Sequence, residues 1–280
     1  MKPKHKFPRQ RAEHESHAIR AKKHLGQHFL RDESVANQIA DALTGHNYDA
    51  VLEIGPGTGV LTKYLLKRAD FQLFLSEVDT ESIIYLRQHY GELNLLGDVL
   101  KSDVISSLPK PFAMIGNLPY NISSPIFFKL LEWHSHVPEM VCMVQKEVGQ
   151  RICAPPGSKT YGLLSVLLQA FYTADYLFTV LPHVFVPPPK VDSAVIKLTS
   201  KNVKDLGCKQ QDFVRVVKTA FNQRRKTLRN ALKPLTDSVL PQFAEKRAET
   251  LSVADFVLLT NSIMVPDNLP PLEDNWTDES

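Results

Sequence analysis

The sequence predicts an α/β protein, a mostly parallel three-layer sheet, followed by a small all-helical unit. Three observations lead there. Short apolar runs alternate with helical patterns from about residue 50 to 132, a glycine-rich loop follows the first apolar run at once, and beyond residue 208 only the helical period remains.

Taken in order, residues 1–21 are polar, with Lys2, Lys4, Lys6, Arg9, Arg11 and Arg20, and predict a flexible basic arm. Glu33 to Ala42 reads as a leading helix. Ala50-Val51-Leu52-Glu53-Ile54 is a short buried strand; glycines follow at 55, 57 and 59, and Val60 to Leu66 resumes at helical spacing. Strands near 71–77, 93–96 and 111–116 then alternate with helices near 80–89 and 124–132. Residues 139–144, 174–180 and 191–198 read as further strands around a helix at 162–171. Ser200 to Gly207 is polar and breaks the pattern, which divides the chain into units at 22–200 and 208–266. In the second unit Phe213, Val217, Ala220 and Phe221 form an apolar stripe, while Arg215, Lys218, Asn222, Arg225 and Arg229 recur on another face. Ser252 and Asp255 have capping-box spacing before a final short helix. Residues 267–280 read as an acidic, disordered tail.

Composition narrows the function classes. At 280 residues the chain can bury a sizeable core. Its longest apolar run, Leu163 to Leu168, falls far short of the roughly 18 residues of a membrane span. The basic N-terminus lacks an apolar core, and Glu13 and Glu15 interrupt it, which argues against secretory and organellar leaders. Cys142, Cys153 and Cys208 make neither a C-x-x-C pair nor an even disulfide set, so a reducing cytoplasm is expected. His134-Ser135-His136 is the nearest approach to metal-ligand spacing, lacks further partners and reads as a loop; no metal is expected. With five acids and no Lys or Arg in the last fourteen residues, residues 1–266 carry a formal +8 against +3 for the whole chain. A cationic body with a basic arm suits a polyanion, or is simply solubilising.

The strand, glycine loop and helix form a nucleotide cradle. Its spacing is G-x-G-x-G with Val60 where a dinucleotide fingerprint has its third glycine, so it fits NAD or S-adenosylmethionine. Glu77 ends the next strand about 20 residues on, where an acid binds ribose hydroxyls. Asp98 follows a third apolar stretch and either accepts from a cofactor adenine or caps a turn with Gly97. Downstream lies Asn117-Leu118-Pro119-Tyr120. The N6 amine of adenine is a poor nucleophile because its lone pair is delocalised, and acceptors on its N–H bonds localise that pair. The Asn117 amide oxygen and a carbonyl at Leu118 or Pro119 are such acceptors, Pro119 stiffens the turn, and Tyr120 offers a flat face. The plain alternative is a strand-ending turn.

Six motifs occur in a fixed order: Gly26-Gln27-His28-Phe29-Leu30, Glu53-Ile54-Gly55-Pro56-Gly57, Asn117 to Ser123, Gln145-Lys146-Glu147-Val148, Phe185 to Ser193, and Phe221 to Asn230. Over about residues 22 to 262 the chain resembles the small-subunit ribosomal RNA adenine N6,N6-dimethyltransferases. The resemblance implies a Rossmann-like class I methyltransferase sheet over 22–200 with a small C-terminal all-helical RNA-binding domain over 208–266. It implies S-adenosyl-L-methionine as cofactor, with no metal, held by His28, Leu30, the loop residues Glu53, Gly55 and Gly57, and by Glu77, Asp98 and Asn117. Many members have Asn where this chain has His28, and either side chain hydrogen-bonds at neutral pH. Asn117, Leu118, Pro119 and Tyr120 correspond to the catalytic tetrad, and Tyr120 and Phe185 to aromatics that sandwich the target adenine. Phe185 also reads as a core aromatic before a proline run. Arg224, Arg225 and Arg229 correspond to RNA-binding cations, or form a solvated face. The implied partner is small-subunit rRNA in a pre-ribosomal particle, met by a monomer away from membranes. Alternatives are a non-catalytic assembly factor and a large-subunit adenine methyltransferase of the macrolide-resistance type.

Overall fold

The computed structural model describes residue 19, residues 21–101 and residues 104–263. Apart from residues 19 and 21, the expected basic arm lies outside the described residues, as does the acidic tail.

The elements follow the hydrophobic pattern closely. β1 (Phe29–Leu30) leads into α1 (Glu33–Asp41), whose cap Asp32 accepts a hydrogen bond from Val35 N at 3.0 Å. β2 (Ala50–Ile54) is buried along its whole length, as a central parallel strand covered on both faces must be. Then come α2 (Thr62–Leu65), β3 (Gln72–Ser76), α3 (Thr80–Tyr90), β4 (Asn94–Leu96), β5 (Phe112–Asn117), α4 (Ser123–Glu132) and β6 (Glu139–Gln145). A helix without a counterpart in the periodic reading, α5 (Lys146–Ile152), follows directly on β6. α6 (Leu163–Phe171), β7 (Tyr172–Val180), β8 (Phe185–Val186) and β9 (Ser193–Ser200) complete the α/β part.

The seven-stranded sheet has the order β4-β3-β2-β5-β6-β9-β7. Its first five strands are parallel, and β9 runs antiparallel between β6 and β7. Strand order reverses between β2 and β5, which opens a crevice at their carboxyl ends. β1 and β8 form a separate two-stranded ribbon, pairing Phe29 with Val186 and Leu30 with Phe185.

Alternation along β2 sends Ala50, Leu52 and Ile54 into one core and Val51 into the other. The second core packs α1 and α2 through Ile39, Leu61 and Leu65. The first extends past α4 and α6 into the C-terminal helices α7 (Gln210–Asn222), α8 (Leu228–Ala231), α9 (Pro241–Ala244) and α10 (Val253–Ser262), through Phe213, Val217 and Phe256. The α7 stripe is buried as its spacing predicts. The expected capping box on α10 is present: Ser252 Oγ accepts from Asp255 N at 3.1 Å, and Ser252 N donates to the Asp255 carboxylate at 2.9 Å. The predicted cationic face is not continuous, because α7 ends at Asn222 and the chain turns, with Lys226 N donating to Gln223 O, before α8. Arg225 and Arg229 therefore do not share a helix with Arg215 and Lys218. Among the described residues no helix is long and apolar enough to cross a membrane.

Candidate active site

A cleft opens at the carboxyl ends of β2 and β5, where the order reverses. Gly55 and Gly57 form its floor, Glu77 and Asp98 one wall, and Asn117, Leu118, Pro119 and Tyr120 the other. Two glycines make the approach possible. Gly57 has φ 55°, and a Cβ there would lie 2.8 Å from the Phe29 ring. At Gly116 a Cβ would lie 2.5 Å from the Ile54 carbonyl oxygen, so β5 lies against β2 only because that residue has no side chain.

Glu77 organises the loop before any ligand arrives. Its carboxylate accepts from Gly57 N at 3.1 Å, Val78 N at 2.8 Å and Asp79 N at 2.9 Å. An ionised carboxylate has about four acceptor sites, so capacity remains for a hydroxyl. Beside it Val78, 54% exposed, presents an apolar face to the cleft. Asp98 lines the cleft while its Oδ1 also accepts from Leu100 N at 3.0 Å, so it serves as a turn cap as well. A closely approachable glycine floor, two carboxylates and an apolar face fit a nucleoside that carries ribose hydroxyls and positive charge.

The fourth side is a strap, residues 22–30, whose members Leu25 to Phe29 line the cleft. Lys22 latches it, pairing with Asp79 and with Glu81 at 3.1 Å. Asp79 also accepts from Ser82 Oγ at 2.9 Å, so the latch rests on the first turn of α3. The Asp79 carboxyl is opposed by its burial, but Lys22, Ser82 and Gln27 outweigh this and hold it below the usual carboxylate range. At the other end Asn117 Nδ2 donates to His28 O at 3.0 Å. His28 Nδ1 lies 2.8 Å from Pro187 O, and its ring is 5.4 Å from that of Tyr120 at a 32° tilt. The latch residues Lys22, Asp79 and Glu81 carry no motif signature, since the contact joins positions 57 and more residues apart.

Pro119, with φ −58° and ψ 129°, places Tyr120 at the start of a 3-10 turn. Leu118 N donates to Met143 O at 3.0 Å, and Pro119 O accepts from Ile122 N at 3.1 Å. The Tyr120 hydroxyl meets Ser193 Oγ at 2.6 Å. Burial pushes its phenol up, and the Ser193 contact pulls the other way.

Several expected positions lie elsewhere. Leu30 is buried in the core, its backbone paired with Phe185. Glu53, 1% exposed, lies behind the loop and accepts from Thr62 Oγ1 at 2.8 Å; burial first, with Glu77 nearby, pushes its carboxyl up to about 8. Phe185, 1% exposed, packs in the core with Leu30 and Val195 and is not on the cleft wall, because its pairing with β1 turns it inward. That is the core-aromatic alternative. Arg224 is half-buried, and its Nη2 donates to Lys159 O at 2.5 Å and Tyr161 O at 3.1 Å, tying the 155–161 loop to the helical region. Tyr161 is fully buried. Arg225 is exposed, and Arg229 pairs with Glu245 at 2.5 Å on the surface.

This strand order, with a glycine loop, a ribose-type acid and an Asn-Leu-Pro-Tyr turn around one cleft, defines a Rossmann-like methyltransferase with a helical C-terminal region. The family model described as ribosomal RNA adenine dimethylase matches residues 18–263. The chain is 53% identical over 253 residues to ribosomal RNA small subunit methyltransferase A of Cytophaga hutchinsonii, covering 88% of this chain and 98% of that protein. A solved dimethyladenosine transferase from Plasmodium falciparum matches with a TM-score of 0.69 at 27% identity, covering 83% of this chain and 96% of that one. The 23S rRNA methyltransferase ErmE shares the fold, with a TM-score of 0.63 at 23% identity over 83% of this chain and 99% of its own. The chain belongs to the ribosomal RNA adenine dimethylase family.

Proposed function

We propose that the protein uses S-adenosyl-L-methionine to N6,N6-dimethylate two adjacent adenines in a 3'-terminal hairpin loop of small-subunit (16S) rRNA, acting as a cytoplasmic monomer on a pre-ribosomal particle during small-subunit biogenesis. The observation that carries this is the Asn117 amide: its Nδ2 is committed to His28 O at 3.0 Å, which leaves Oδ1 as an acceptor at the cleft wall.

Gly55, Gly57, Glu77, Asp98 and His28 would hold the donor, Glu77 through ribose hydroxyls and Asp98 through the adenine amine. When bound, the donor supplies a methyl group on a sulfonium sulfur, and that carbon leaves sulfur as it bonds to N6. Asn117 Oδ1 accepts one N6–H. The carbonyl of Leu118 or of Pro119, the latter also accepting from Ile122 N, takes the other. Together they draw the amine towards tetrahedral geometry and stabilise the charge that develops on it. Tyr120 stacks the flipped base, a contact worth roughly 1–3 kcal/mol. No basic side chain is required, because the methylated amine loses its proton to water.

The 53% identity to a small-subunit methyltransferase over nearly the full length favours that substrate over a large-subunit one. The intact tetrad argues against a purely scaffolding role. Mass spectrometry of small-subunit rRNA from cells with and without the protein, and of unmodified particles incubated with protein and donor, tests the proposal. Two dimethyladenosines that depend on the protein are expected; their absence in both experiments overturns it.

A further inference from the structure

The segment around Val191-Asp192-Ser193 and the Gln145-Lys146 pair are sequence motifs that do not line the cleft. The structure joins them behind Tyr120. Ser193, fully buried, opens β9 opposite both Gln145 of β6 and Val180 of β7. Asp192 is clamped twice by Lys146, whose N donates to Asp192 O at 2.9 Å and whose Nζ meets the carboxylate at 3.0 Å. Ser193 Oγ is thus a hydroxyl on a strand held from both sides, and it meets the Tyr120 hydroxyl at 2.6 Å.

Tyr120 itself sits on a 3-10 turn of three residues, with no ladder partner to fix it. Its hydroxyl lies on the χ2 axis, so the contact with Ser193 restrains the ring against swinging about χ1 and sets the position, though not the χ2 tilt, of the face on which a base stacks. That restraint acquires unequal importance in the two transfers. An unmethylated amine offers two N–H bonds to two acceptors, Asn117 Oδ1 and the carbonyl of Leu118 or Pro119, which orient it in plane without help. After one transfer a single N–H remains, half of the in-plane hold is lost, and alignment for attack depends more on the stacked face.

We infer that Ser193 is a positioning residue for the second methyl transfer, fixing Tyr120 so that monomethyladenosine stays aligned. The inference rests on the function proposed above.

The test compares wild type, Ser193→Ala, Tyr120→Phe and the double variant on unmodified small-subunit particles with donor, counting unmodified, monomethyl and dimethyl adenosine by mass spectrometry through a time course. Ser193→Ala is expected to slow the second transfer roughly 3- to 10-fold more than the first, so that monomethyladenosine accumulates. Tyr120→Phe removes the same bond from a half-buried position and should reproduce that ratio even where Ser193→Ala folds poorly. The double variant should add nothing further. A fall in folded enzyme slows both transfers alike and leaves the monomethyl-to-dimethyl ratio at matched conversion unchanged. An unchanged ratio in both single variants overturns the inference. Wild type that makes no methyladenosine overturns the underlying function instead, so the two failures are distinguishable.

Discussion

Glu53 and Glu139 are acids buried in one sheet, 1% and 3% exposed, and they meet burial in opposite ways. Glu139, at the start of β6, is surrounded by donors: Lys197 Nζ at 2.6 Å, the Tyr48 hydroxyl at 2.6 Å, and Thr44 N and Oγ1 at 3.0 Å. Desolvation opposes its charge, yet Lys197, Tyr48 and Thr44 outweigh it and hold the carboxyl below its ordinary value. Glu53, near the carboxyl end of β2, has the Thr62 hydroxyl, no cation among its hydrogen-bond partners, and Glu77 nearby, so burial raises it to about 8 and it is mostly neutral at pH 7. The amino end of the sheet carries its own counter-charge and is built for stability. At the carboxyl end Glu77 and Asp98 line the cleft, while the acid behind the loop is neutralised by a proton.

The largest expected effect is at the self-sufficient end. Glu139→Ala leaves Lys197 without its ion-pair partner, with only the Ala42 carbonyl to donate to, and should cost about 3–5 kcal/mol of unfolding free energy, with turnover per folded molecule unchanged. Chemical denaturation measures this, and an unaltered midpoint would mean the network contributes nothing. Asn117→Ala should do the reverse, lowering turnover by on the order of 10²–10³ while RNA affinity stays put and unfolding free energy falls by only about 1 kcal/mol for the lost bond to His28. Full activity in that variant would remove the amide from the chemistry.

The two acids also predict opposite pH trends. The depressed Glu139 contributes stability that is present above its ordinary value and lost as pH falls through the lowered one. The raised Glu53 contributes stability that is fully present below 4.5 and is lost as pH rises through about 8. Glu53→Gln, which keeps an oxygen for Thr62, should therefore flatten the decline between pH 4.5 and 8 in a series of thermal melts. A slope identical to wild type would mean that Glu53 does not take up a proton on folding. The smallest effect concerns the helical unit. Arg225→Gln should reduce the salt slope of RNA binding by about one without touching the thermal midpoint, whereas Arg224→Gln should lower the midpoint by releasing the 155–161 loop. Equal behaviour of the two arginines would erase the distinction drawn from their contacts.

The pattern of apolar runs was enough to place every strand of the seven-stranded sheet; a parallel strand covered on both faces is largely apolar, as Ala50–Ile54 is apart from Glu53. It was also enough for the glycine loop, Glu77 and the Asn117–Tyr120 turn, which are local in sequence and reach the cleft together because each ends or follows a strand at the same edge. Phe185 was different. An aromatic before prolines can face a base or a core, and a two-residue ribbon with β1 decides it. Arg224 likewise looks the same as Arg225 in one dimension, and only the carbonyls of Lys159 and Tyr161 separate them.

What the sequence determined by itself is therefore what repeats along the chain or sits within a few residues: strand and helix periods, the caps, the loop that cradles a nucleoside and the turn that holds an amine. Tertiary structure alone decided which side chains meet across long separations, such as Lys22 with Asp79, Tyr120 with Ser193 and Lys197 with Glu139. The physical reason is that hydrogen bonds and ion pairs act over a few ångströms of space, and no periodicity in the chain encodes which distant residue will occupy them.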